Sequence, residues 1–145
     1  MDISTHLYMK NIHEMMLAKA NLHLKEYDLT LSQMCILLYC NNSGADYVLQ
    51  KDLEDYFNLS HATIIGILKR LSQKGYIKIE ISDAHKRQRR VYTTKKTLAM
   101  KSEIEEHIAQ FEKILIKGFS KKDIAAMQGY LAKMYENLKK SDFVF

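Results

Sequence analysis

"LSHATIIGILKRLSQKGYIKIEISDAHKRQRRVYTT", residues 59–94, changes its hydrophobic period partway along, and that change decides the fold. Ile64, Ile67, Leu68 and Leu71 recur at three- and four-residue spacing, which predicts one buried stripe on a helix. Ser60 stands at the N-cap, where its hydroxyl can accept from a free backbone N–H, and Gly75 supplies the left-handed stop. "YIKIEI" (76–81) then alternates strictly, with Ile77, Ile79 and Ile81 on one face, as in a strand half buried against that helix. "RVYTT" (90–94) returns as its partner, and the segment carrying Lys86, Arg87, Arg89 and Arg90 reads as the loop between them.

Upstream, "LQKDLEDYF" (49–57) spaces Leu49, Leu53 and Phe57 four apart, predicting a short helix, and "NLS" turns the chain into the next one. Two helices joined by a tight turn make the helix-turn-helix pattern, and the hairpin behind it is a wing. The face of the second helix opposite its apolar stripe carries Ser60, His61, Thr63, Gly66, Lys69 and Arg70. Further out, a long amphipathic helix is predicted over about 3–26, interrupted by "YDLT". "TLSQ" (30–33) has the form of a capping box and opens an apolar helix to about Cys40, followed by a loop at 41–46. After the wing, Leu98, Ile104, Ile108, Phe111 and Leu115 form one helical stripe. Ile124, Met127, Leu131, Met134 and Leu138 form another beyond a bend at Gly118 and Ser120.

The fold class expected is therefore mostly α with a small β-hairpin wing. A DNA-reading module of about 60 residues needs less apolar helix than these ends carry, so a second copy of the chain is the economical cover and a homodimer is expected.

Charge is local. Residues 60–96 hold ten Lys/Arg against Glu80 and Asp83, while the remainder of the 145-residue chain is slightly acidic, within a total of +5. A concentrated patch of this kind is the footprint of a surface that meets phosphates. No apolar run approaches the roughly 18 residues a bilayer span requires, and the start "MDISTHLYMK" lacks the basic and apolar regions of a secretory signal. No membrane partner is expected. Cys35 and Cys40, five apart on one predicted helix, point to different faces and read as reduced thiols of a cytoplasmic protein. A redox role for Cys40 is the lesser alternative, since no basic neighbour lowers its pKa. His6, His13, His23, His61, His85 and His107 never reach metal-ligand spacing, so no metal or other cofactor is expected. No nucleophile–base pair, phosphate loop or carboxylate pair suggests an enzyme, so no catalytic residues are assigned.

The 59–94 stretch with "LQKDLEDYFNLS" before it resembles the winged helix-turn-helix core of the multiple-antibiotic-resistance (MarR) regulators. The predicted order of elements resembles that family along essentially the whole chain. The resemblance implies a single domain over 1–145, with 1–28 and 98–145 as interlocking dimerisation helices and 30–96 as the DNA-binding core. It implies a transcriptional regulator, a homodimeric repressor on a palindromic operator, modulated by a small-molecule effector. Candidate effector-lining residues are Met16, Cys35 and Tyr39, which could equally be core or dimer contacts. Departures from the family pattern fall in the wing: Arg87 occupies the wing arginine, His85 stands where an acid is usual, and Asp83 lies two residues earlier. Thr93 replaces the usual Leu, and Ala62 a frequent Pro.

On these residues the expected interface with double-stranded DNA has two parts. Ser60, His61, Thr63, Ile65 and Gly66 would head a helix in the major groove, with Lys69 and Arg70 placed for phosphates. Ile65 would press a thymine methyl or pack inside. Lys86, Arg87, Arg89 and Arg90 would form the wing contact, with Arg87 entering the minor groove. The competing functions are a nonspecific architectural nucleic-acid binder and a winged-helix protein-interaction module.

Overall fold

The computed structural model describes residues 4–84 and 87–144. Among them are six α-helices and a small sheet: α1 (Thr5–Leu24), α2 (Leu31–Asn42), β1 (Val48–Leu49), α3 (Gln50–Phe57), α4 (His61–Gln73), β2 (Ile77–Ile81), β3 (Arg89–Thr93), α5 (Lys95–Leu115) and α6 (Lys121–Lys139). The chain forms two compact units, residues 1–102 and 103–145.

In the first unit, α1 gives way to a 3-10 turn at Lys25–Tyr27, and Asp28 adopts a left-handed conformation at φ 53°, so "YDLT" does end the helix. The capping box forms as its spacing predicts. Thr30 Oγ1 accepts from the Gln33 backbone N–H, and Gln33 Oε1 accepts from the Thr30 N–H. The helix it opens runs to Asn42, two residues past the expected end, leaving a shorter loop. The core gathers Ile36, Leu37, Leu53, Ile64, Leu68, Leu71 and Val91, all nearly solvent-free. All four residues of the expected α4 stripe are buried.

The sheet departs from a simple hairpin. Strand order is β1-β3-β2, all antiparallel, with Val48 opposite Val91 and Leu49 opposite Arg90. Leu49 therefore ends a strand instead of opening a helix. The local four-residue spacing is satisfied by α3 from Gln50 onward, but tertiary pairing to β3 takes Leu49. Along β2, burial fades from Ile77 at 3% exposed, through Ile79, to Ile81 at 58%. Strict alternation gave all three one face, and the far end of that face runs past the core.

The C-terminal end of α4 is fastened to the region before α2. The Lys74 ammonium donates to the Asp28 carbonyl and lies 3.4 Å from the Asp28 carboxylate. The Tyr76 hydroxyl donates to the Tyr27 carbonyl at 2.6 Å. Gly75, at φ 78°, makes the turn between them. These bonds fix where α4 ends, and so where its N-terminus points.

In the second unit, Gly118 turns at φ 89° and Ser120 caps α6 in a reciprocal box with Asp123. Helix α6 buries none of its residues. An open groove of about 570 Å³ runs along it, lined by Phe119, Met127, Tyr130, Leu131 and Met134 among others.

Cys40 is buried, and desolvation pushes its thiol up to about 12, while Cys35 is half-buried and also raised. Thiolate is the reactive form, so a redox role at Cys40 has no electrostatic support. In the native protein at about pH 8, Cys40 should react with a chromogenic disulfide reagent at least tenfold more slowly than in the unfolded chain. Stopped-flow absorbance with and without denaturant measures the ratio.

Candidate nucleic-acid interface

Helix α4 begins at a well-made cap. The Ser60 hydroxyl accepts from the Thr63 backbone N–H at 3.2 Å and also bonds the Thr63 hydroxyl at 2.8 Å. Ser60, His61 and Thr63 are all exposed, so the leading edge expected to read bases is open to solvent. Lys69 and Arg70 are exposed one to two turns further on, whereas Ile65 and Gly66 are half-buried. A Cβ built on Gly66 meets nothing within 4 Å, so no neighbour within the chain demands glycine there.

His61 is held more firmly than a solvated side chain. Its Nδ1 lies 2.7 Å from Glu54 Oε1 on α3, and Gln50 Nε2 donates to that same oxygen at 2.9 Å. The hydrogen bond from Gln50 is the leading cause that holds the Glu54 carboxyl below the usual carboxylate range, with the His61 hydrogen bond and charge adding to it. Glu54 also anchors the turn through its backbone, its carbonyl accepting from the N–H groups of Asn58 and Leu59. Asn58 occupies the left-handed region at φ 50° and supplies the sharp reversal before α4.

The wing corrects the expected loop. Arg89 joins Arg90, already expected at the start of the returning strand, in β3; they pair with Ile81 and Glu80, and both are half-buried. The pairing is dictated by Val91, whose buried side chain fixes the register of its neighbours. The Arg90 guanidinium stacks over the Tyr47 ring, 4.7 Å from its centroid, and Tyr47 packs against Tyr92 at 5.6 Å. Glu80 completes this outer face, its carboxyl lowered first by the hydrogen bond and charge of Lys78, 2.7 Å away, then by the Tyr92 hydroxyl and Arg90. Arg87 is exposed on the turn, and no carboxylate among the described residues, Asp83 included, pairs with it. Lys86 and His85 lie outside the described residues.

Sequence reasoning missed Tyr47, Gln50 and Glu54. The Gln50/Glu54 spacing of four was visible on one helix face, but the partnership with His61 needs the turn between helices. Tyr47 meets Arg90 only because β1 adds to β3.

Of the candidate effector-lining residues, Tyr39 packs on Tyr56 at 4.4 Å and on Phe57 at 5.8 Å, while Met16 and Cys35 are half-buried. No group of His, Cys, Asp or Glu among the described residues could hold a metal ion. No helix among them is long and apolar enough to cross a membrane.

A capped helix following a tight turn, with a three-stranded wing behind it, defines a winged helix-turn-helix protein. Residues 27–88 match the model of the MarR family. The fold over the rest of the chain is also that of MarR regulators. It superposes on the transcriptional regulator SlyA at TM-score 0.83 with 23% identity, covering 93% of this chain and 94% of that one. Against MepR of S. aureus in complex with DNA the TM-score is 0.89 at 20% identity, covering 94% and 99%. The transcription regulator MarR of Oenococcus oeni is similar at 0.77 with 26% identity, covering 92% and 99%. Two of these three structures are of transcription regulators. No curated protein sequence matches the chain.

Proposed function

We propose that the protein is a DNA-binding transcriptional regulator of the cytoplasm, a homodimeric repressor that binds a palindromic operator and is modulated by a small-molecule effector. The observation that carries this reading is the pairing of an exposed, capped α4 edge with an exposed Arg87 on the wing, inside the window of concentrated positive charge. In this reading Ser60, His61, Thr63, Ile65 and Gly66 face the major groove, and Lys69 and Arg70 meet phosphates. Arg87, with Lys86, reaches the minor groove. Arg89 and Arg90 border it from the strand, Arg90 mainly by holding the wing's shape through Tyr47.

Dimerisation through 1–28 and 98–145 is supported by apolar side chains that one protomer leaves exposed: Ile12, Met15 and Leu22 on α1, and Tyr130, Leu131 and Leu138 on α6. The complex of MepR with DNA supports the DNA partner. Met16, Cys35 and Tyr39 are the residues offered for the effector.

The deciding experiment is selection of bound duplexes from a random pool. An inverted repeat should emerge, its half-sites centred about ten base pairs apart or a multiple of that. Recovery of unrelated sequences with uniform affinity would instead support the architectural binder, and absence of any retained duplex the protein-interaction module. On the selected site, Thr63→Ala should reduce discrimination against mismatched duplexes by about tenfold while leaving nonspecific binding nearly unchanged. Competition binding with site and scrambled duplexes separates the two.

A further inference from the structure

The bonds around His61 carry information about its proton. Glu54 is a carboxylate, which has lone pairs and no hydrogen to give, so the 2.7 Å contact requires the hydrogen on His61 Nδ1. Gln50 is 5% exposed and its Nε2 donates to Glu54 Oε1. That nitrogen also lies 3.3 Å from His61 Nδ1, so the shorter contact with the carboxylate decides where the imidazole proton sits. Gln50 Oε1 is left buried without a hydrogen-bond partner, so the amide gives up one bond in order to hold Glu54. The other carboxylate oxygen faces Lys51 at 4.0 Å, and Lys51 itself pairs with Asp55 at 2.8 Å. Glu54 is thus held through Oε1, its side chain only 11% exposed, while the imidazole beside it is 70% exposed at the first residue of α4.

We propose that Glu54, seated on Gln50, is a positioning residue for base recognition. It holds a proton on His61 Nδ1, so that an imidazole carrying one proton offers Nε2 to the groove as a hydrogen-bond acceptor. An unengaged neutral imidazole favours the opposite tautomer, and the bond made by one nitrogen sets the role of the other. An acceptor at this place selects the exocyclic amino groups of adenine or cytosine and rejects the oxygens of guanine and thymine. The inference rests on the proposed major-groove role of α4, but its first half stands without DNA.

Two measurements on the full chain test it. Long-range proton–nitrogen NMR at about pH 8, above the ordinary imidazole range, should show the His61 proton on Nδ1 in the wild type and on Nε2 in Glu54→Ala. Glu54→Gln, which keeps an oxygen facing Nδ1, should retain the wild-type tautomer. Binding at the same pH to single-substitution variants of the selected duplex should then show a preference of about tenfold for an amino-bearing base at one position per half-site. Glu54→Ala and His61→Ala should both lose it there and keep discrimination elsewhere. A wild-type proton on Nε2, or an unchanged tautomer and preference in Glu54→Ala, overturns the proposal. A wild type with the expected tautomer that binds no duplex overturns the proposed function, and the base-reading role with it, while leaving the Glu54–His61 pairing in place.

Discussion

Arg87→Ala is expected to weaken binding to every duplex by about a hundredfold. A charge-assisted contact contributes about 1.5 kcal/mol or more, and the proposed dimer would lose two. The slope of log affinity against log salt should also fall by roughly two, because two cations no longer displace counterions. Arg90→Ala should behave differently. Its guanidinium is engaged with Tyr47, so its loss should lower the unfolding temperature and weaken binding with a smaller change in slope. Fluorescence anisotropy titrations at several salt concentrations distinguish the two variants. Unchanged binding by Arg87→Ala at matched salt removes the wing from the mechanism.

Leu53→Ala should cost about 3 kcal/mol of unfolding free energy. Leu53 is fully buried on α3, which touches α4, β1 and β3, so the vacated volume opens beneath the turn that presents α4. Urea unfolding followed by circular dichroism gives the value, and a loss under 1 kcal/mol would mean that the neighbouring helices close the space. Tyr56, on the same helix but 65% exposed, provides the contrast. Its replacement by alanine should cost about 1 kcal/mol, through the ring contacts with Tyr39 and Phe57.

Features that depend on local spacing were readable from the residues alone. The Thr30/Gln33 box, the Ser60 cap, the four buried positions of α4 and the left-handed Gly75 all form as their patterns dictate. What could not be read depends on partners distant in sequence. Leu49 joins a strand because Arg90 lies opposite it, and Ile81 is exposed because the core ends before it does. Arg89 looked like part of a charge run in a loop, yet the strand set by the buried Val91 extends back to include it. The candidate DNA-contacting residues were identifiable by type and place. How His61 and Arg90 are held was not, because both partners, Glu54 and Tyr47, come from other elements.

The third strand has a mechanical consequence for the wing. β1 is only two residues long and pairs with β3 at Arg90 and Val91, so the sheet is three strands wide there and two strands wide on either side. From that point towards the turn carrying Arg87 the ribbon has two strands only. A narrow ribbon bends more readily than a wider one, so under the proposed function the load of meeting a phosphate backbone would be taken up as deflection near Arg87. That compliance would let one arginine follow grooves of differing width without disturbing the proposed base contacts of the helix.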